Sequence, residues 1–343
     1  MARYLTLLVA ALAMAAPPEQ ARVDGALARA VVWLRGEQDA RGGYGANPGE
    51  CALALLALRH AGVPADDPAC ARAAAHLRRE LPDGTVYGAA LGVLALLAHS
   101  PEAHRDRVRL LLDHLAKGQC ENGQWTYAYR ATARKKAGDN SNTQLAILAC
   151  AAARARRFDV DDEVFRRCQA FFRASQNSDG GFGYGDNQRK RSYGSMTAGG
   201  AMALALGGCV EAQVAFRDAG GLGGADLRRA LAWLGEGERI DENRGSADAF
   251  GGRKGRRGDS FWKHYWLWSL ERACHAAAAP ALGGRDWYAD GAAYLLGAQR
   301  AEGSWRDPER ELQATCFAVL FLTRSTLVTL TPRDRDRTAV TGR

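Results

Sequence analysis

Cysteine is scarce in this sequence: eight in 343 residues, too few for a disulfide-stapled scaffold. No Cys-x-x-Cys pair occurs, so zinc ribbons and thioredoxin-type sites find no support. No segment reaches the ~20 consecutive apolar residues that a membrane-spanning helix needs. Apolar residues at 47% and charged ones at 24% exclude a disordered chain, a collagen-like fibre and a polytopic membrane protein. Glycine is in excess, 39 residues, about 11% against a usual ~7%. Lys and Arg outnumber Asp and Glu 46 to 38, a formal charge of +8.

The first residues, Met1-Ala2-Arg3 followed by Tyr4–Met14 and then Ala15-Ala16-Pro17, read as a secretory signal. They combine a positive start, an apolar run of about a dozen residues and small residues at the cleavage zone. A signal peptide over residues 1–16 implies an exported protein, periplasmic or secreted, with no integral membrane segment once the signal is removed. Cys51, Cys150 and Cys316 sit inside apolar helical runs, where cysteine behaves as a small hydrophobe.

Internal repetition sets the architecture. Gln-x-x-x-Gly-x-aromatic occurs at Gln38–Gly42–Tyr44, Gln119–Gly123–Trp125, Gln176–Gly180–Phe182 and Gln299–Gly303–Trp305, where composition predicts about 0.1 occurrences by chance. Degraded copies fall at Glu80–Gly84 and at Trp233–Glu238. Each unit reads as a helix with one buried stripe, a tight Gly turn and a second helix. The glutamine amide is expected to serve the unpaired carbonyls ending its own first helix. The second helices (CALALLALRHAG, GAALGVLALLA, NTQLAILACAAA and others) are apolar on every side and must be buried on every side. Six amphipathic, Arg-rich outer helices and six apolar inner ones predict an all-α fold, an α/α toroid, over residues 24–324. The tail, 325–343, is expected to be disordered.

These units resemble the repeats of squalene–hopene and oxidosqualene cyclases and of protein prenyltransferase β subunits. The stretches GDNSNTQLAILA, SYGSMTAGGAMALAL, YLLGAQRAEGSW and TCFAVLFL look like bacterial prenyltransferase/squalene oxidase repeat proteins. The resemblance covers roughly residues 26–322 and speaks to fold more than to chemistry. It implies two possible reactions, and neither residue set is in place. A squalene-type cyclase uses an Asp-x-Asp-Asp acid opening an inner helix. Here Asp159-Val160-Asp161-Asp162 precedes an outer helix, so its acids read as helix caps. A prenyltransferase holds zinc with Asp-x-Cys and a distant His. The corresponding stretches are Arg191–Ser195 and Glu311–Cys316, with no Asp-x-Cys and no His. A thioester-type toroid fails as well, because Gly49-Glu50-Cys51 lacks the required glutamine.

A glycan-cleaving enzyme would need two carboxylates ~5–10 Å apart. Candidates at inner-helix starts are Glu50, Asp139, Asp259 and Glu311, each of which also reads as a first-turn or capping acid. Phe261–Trp268 is the most aromatic stretch, and rings there suit an isoprenoid, a sugar face or a cation. Lone histidines His60, His76 and His99 read as structural.

Three insertions fall between a Gly turn and an inner helix: residues 126–141 (+3), 184–193 (+2) and 244–260 (+3). They carry Arg134, Lys135, Lys136, Arg189, Lys190, Arg191, Arg253, Lys254, Arg256 and Arg257. In an alternating barrel they emerge on one rim, giving a positive mouth over an aromatic cavity. The expected function is binding of an amphiphilic or anionic ligand, such as a polyprenyl or other lipid, without either enzyme class's catalytic residues. The alternative is an enzyme in the same cavity, either a lyase or hydrolase on an acidic glycan or a divergent terpenoid cyclase or transferase. Candidate ligand-binding residues are Asn140, Asn142, Gln144, Ser195, His264, Tyr265, Trp268 and Gln313. No cofactor, metal or nucleic-acid partner is expected. Paired lumenal carboxylates, or a His–Tyr pair near an arginine, would favour the enzyme.

Overall fold

The computed structural model describes residues 17–128, 138–185, 191–216, 222–237, 239–246, 262–307 and 310–330. Among them are thirteen helices and no strand. Six outer helices are α1 (Pro17–Gly36), α3 (Pro68–Glu80), α5 (Arg105–Gly118), α7 (Asp162–Ser175), α9 (Gly224–Gly235) and α11 (Trp287–Ala298). They alternate with six inner helices, α2 (Pro48–His60), α4 (Val86–His99), α6 (Asn140–Ala155), α8 (Gly194–Glu211), α10 (Lys263–Ala276) and α12 (Glu311–Leu322). Each inner helix packs on the next and α12 returns to α2, so the ring closes into an α/α toroid. Burial follows the sequence pattern. Every residue of α8 from Gly194 to Val210 is buried, whereas α7 buries a stripe of Val164, Phe165, Cys168, Phe171 and Phe172 at amphipathic-helix spacing.

The repeat works differently from its expected role. Gln38 Nε2 donates to Gly42 O in its own turn and to Ala69 O in the next outer helix. Gln119 bridges Gly123 O and Val164 O, Gln176 bridges Gly180 O and Asp226 O, and Gln299 bridges Gly303 O and Ala26 O. The amide thus ties neighbouring units together instead of capping its own helix, and Gln299 ties the last unit to α1. An arginine three residues beyond the bridged carbonyl completes the clamp: Arg72 on Gln38, Arg229 on Gln176, Arg29 on Gln299, and Arg167 on Cys120 O. That is one structural use of the Arg-rich outer helices. The helix-capping task falls to the tryptophans, whose indole N–H groups meet Leu115 O (Trp125) and Leu295 O (Trp305).

The tail departs from expectation. Ser325–Leu330 forms a thirteenth helix, α13, with Ser325, Thr326, Thr329 and Leu330 buried. It packs against α10 and α6, near the C-terminal ends of the inner ring. Trp268 Nε1 donates to Ser325 Oγ, Thr326 N and Oγ1 donate to Glu271, and Arg156 Nη1 donates to Thr329 O. Residues 331–343 lie outside the described set, as do residues 1–16 of the expected signal.

Candidate functional site

The Gly turns deliver the N-terminal ends of the inner helices to one rim. Glu50, Tyr87, Gln313 and Phe317, in the first two turns of inner helices, stay half-buried although the outer ring encloses those helices. This rim of the inner ring is therefore partly open to solvent, while α13 packs at the opposite end.

The carboxylates near the rim are held by structural bonds. Asp139 caps α6, with Oδ1 accepting from Ser141 N (3.0 Å) and Asn142 N (2.9 Å), and Oδ2 from Asn142 Nδ2 (2.9 Å). Glu50 Oε1 accepts from Gln313 Nε2 at 2.7 Å and its Oε2 from Ala46 N. Glu311 meets Arg300 and Ser304; Asp259 lies outside the described residues. In the Asp-x-Asp-Asp string, Asp161 caps the outer helix α7 through Glu163 N, and Asp162 pairs with Arg154 and Arg166. Among the described residues, no three His, Cys, Asp or Glu side chains converge as a metal site would require. All eight cysteines are buried, none in a disulfide, and burial pushes the Cys51 and Cys150 thiols up to about 12.

Several candidate residues make bonds within the scaffold. Asn140 accepts from Gln124 and donates to Gly183 O, pinning two connections to α6. Ser195 N and Oγ both engage Asn243. His264 is buried with Nδ1 3.0 Å from Asp307 Oδ1. Of the basic rim set, Arg191 is described and exposed; the other nine residues lie outside the described set.

The remaining candidates converge on the lumen. Tyr87, Tyr184, Tyr193 and Tyr265 all lie within electrostatic reach of Asp139, and Tyr127 within reach of Tyr87, Tyr184 and Tyr193. Tyr127 and Tyr184 share a hydroxyl–hydroxyl hydrogen bond. Tyr87 on α4 and Tyr265 on α10 come from opposite sides of the ring and interact across it. Burial pushes Tyr265 up to about 12, with Arg272 opposing the shift. Asn142 Oδ1 is buried with no hydrogen-bond partner, and Tyr265 Oη is buried without a well-aligned one, with Tyr87 and Arg272 beside it. Below them Phe317 stacks on Trp268, with centroids 5.3 Å apart and planes at 21°, and lies 5.5 Å from Tyr265.

The sequence reading missed Arg272. Its side chain climbs α10 toward the rim, as helix geometry directs, and its guanidinium carbon lies 3.8 Å from the Trp268 ring centroid and 5.7 Å from that of Tyr265. Nη2 donates to Gln144 Oε1 (2.6 Å) on α6 and to Ser269 Oγ (2.8 Å). Because α8 separates α6 from α10 in the ring, the bond to Gln144 crosses the lumen. Nε and Nη1 make no well-aligned hydrogen bond, the Tyr265 hydroxyl being the polar group beside the guanidinium, although Arg272 is 0% exposed. Three of the five guanidinium N–H groups are therefore buried without a well-aligned acceptor, each costing about 1–3 kcal/mol or more if left dry. In sequence, Glu-Arg near the end of an apolar helix looks like an exposed last turn, and only ring closure reveals that it faces inward.

The fold is an α/α toroid. The chain superposes on a type II terpene cyclase from Scytonema bound to geranylgeranyl dihydroxybenzoate, with TM-score 0.53 and 15% identity over 91% of this chain and 98% of that one. It also matches the GH76A α-1,6-mannanase of Salegentibacter sp. bound to α-1,6-mannotriose, with TM-score 0.61 and 11% identity over 89% and 99% of the two chains. A protein from Actinoplanes matches at TM-score 0.50 and 14% identity, over 89% and 99%. No family model and no curated protein matches the chain. At these identities the likeness establishes the architecture, which other proteins use for a prenylated aromatic and for a glycan alike.

Proposed function

We propose that this protein binds a small amphiphilic ligand in the rim-side half of its lumen, without a cyclase acid or a prenyltransferase zinc site. The observation that carries the reading is the buried, unpartnered Asn142 Oδ1, with Tyr265 Oη buried and without a well-aligned bond, set beside the Tyr265–Phe317–Trp268 aromatic wall. Buried polar atoms are normally satisfied, and a mostly apolar pocket with a few directed polar groups is the usual form of a small-molecule site. The carboxylates that would serve as acids are engaged in caps and ion pairs. Export through the Met1–Ala16 segment belongs to this reading; no helix among the described residues is long and apolar enough to cross a membrane. Mass spectrometry of lipids and glycans extracted from the purified protein tests it. A stoichiometric amphiphile that is lost in Tyr265→Phe/Asn142→Leu supports the proposal, and an empty protein that binds neither prenols nor fatty alcohols refutes it.

A second reading, an enzyme acting on an acidic glycan, is favoured by one observation. The Tyr265 hydroxyl stands beside the buried Arg272 guanidinium, an arrangement able to move a proton next to a fixed anion. Time-dependent appearance of unsaturated or shortened oligosaccharides, lost in Tyr265→Phe, would replace binding by catalysis.

A further inference from the structure

Glu271 and Arg272 are consecutive on α10, yet they serve different places. The Glu271 carboxylate turns to α13, where Thr326 N (2.9 Å) and Oγ1 (2.6 Å) donate to it. The Arg272 guanidinium rises into the lumen and finds only neutral partners, Gln144 Oε1 and Ser269 Oγ. No carboxylate of the described residues forms an ion pair with it. Burial also holds the Glu271 carboxyl up at about 8, so near neutral pH that neighbour is largely uncharged. A buried cation without a counter-charge is unfavourable unless something else supplies one. The surroundings of Arg272 are suited to doing so. One face of the guanidinium is covered by Trp268 at 3.8 Å, Nη2 is fixed by two acceptors, and Nε and Nη1 are left without a well-aligned acceptor. On the rim side of it, Tyr265 packs on Phe317 and lies within electrostatic reach of Tyr87.

We infer that Arg272 anchors an oxyanion, a carboxylate or a phosphate monoester, at the inner end of the lumenal ligand, with the ligand's apolar stem rising past Tyr265 and Phe317 to the rim. This rests on the lumenal-binding reading above and adds the ligand's charge and orientation. The headgroup lies deep against Arg272 and not at the basic rim, the reverse of the orientation that the rim charges alone suggest. Charged hydrogen bonds are stronger than neutral ones because the donor carries full charge, and stacking on Trp268 fixes the fork so that little is lost in ordering it.

Matched probes test the inference on the intact protein by titration calorimetry: palmitoleic acid against palmitoleyl alcohol, and geranylgeranyl phosphate against geranylgeraniol. The wild-type protein is expected to prefer at least one anionic member over its alcohol by on the order of 30-fold; which pair shows the preference identifies carboxylate or phosphate. Arg272→Met should bring that ratio to within about 3-fold while leaving the melting temperature unchanged or higher, since it removes an unpaired buried charge. Arg272→Lys should retain part of the preference, having the charge without the fork. Equal binding of acid and alcohol by the wild-type protein overturns the inference but leaves lumenal binding standing. Binding of neither overturns both. A preference that survives in Arg272→Met, or an Arg272→Met protein that fails to fold while Arg272→Lys folds and shows no preference, assigns Arg272 a structural role and overturns the anchor.

Discussion

Gln299 shows what one side chain does for this ring. Its amide donates to Gly303 O and Ala26 O, both at 2.9 Å, and its carbonyl receives Arg29, so the last unit is locked to the first. Gly303 stands at φ +101, and a Cβ there would lie 2.5 Å from Arg29 O. Gly303→Ala should therefore cost roughly 2 kcal/mol or more, seen as a lower urea midpoint. The Gln and Gly were legible in the sequence as a repeat, but the clamping arginine was not, because it belongs to the neighbouring unit. Asp161 illustrates the opposite case. Its capping bond to Glu163 N (2.9 Å) agrees with the sequence reading, and Asp161→Ala should cost about 1 kcal/mol of stability with ligand affinity unchanged by calorimetry.

At the scale of the element, α13 is the main surprise. Its sequence, Ser-Thr-Leu-Val-Thr-Leu, is short, β-branched and next to a charged tail, and nothing local marks it as helical. It forms because the lumen end offers partners: Trp268 for Ser325, Glu271 for Thr326 and Arg156 for the Thr329 carbonyl. Thr326→Val keeps the shape but removes the hydroxyl donor to Glu271 Oε2. It should lower stability by roughly 1–3 kcal/mol, read by denaturation, and raise amide exchange in α10 and α13. In α10, Tyr265 and Trp268 turn toward Phe317 on the neighbouring inner helix, and Trp266 turns outward, its indole bonded to Ile240 O at 2.9 Å. Phe261 lies outside the described residues.

The whole molecule carries a pH signature. Burial lowers His104 and His275 to about 4, so between roughly pH 4 and 6.5 the unfolded chain binds more protons and stability rises with pH. Glu271 is raised to about 8, again by burial, with Thr326, Arg272 and Arg324 opposing, and His275 Nε2 stands 3.6 Å away. Between about pH 4.5 and 8 the folded chain holds that extra proton, so this group lowers stability as pH rises. Burial lowers His60 and His99 as well, and four rising contributions against one falling place the maximum near pH 6.5. Thermal melts from pH 4 to 9 should show that maximum, and Glu271→Gln, which mimics the protonated carboxyl, should flatten the alkaline side alone.

The sequence by itself determined the repeat, the two kinds of helix and hence the toroid, because periodic glycines and all-round apolar helices admit few ways of being buried. It also located the lumenal aromatics, since an inner helix must turn one face to the cavity. Tertiary structure alone decided which polar atoms remain unsatisfied. Asn140 and Ser195 spend their hydrogen bonds on connections, whereas Asn142, Tyr265 and Arg272 keep atoms without a well-aligned partner inside the ring. That difference depends on which helices face one another across the lumen, an outcome of ring closure that no local stretch of sequence encodes.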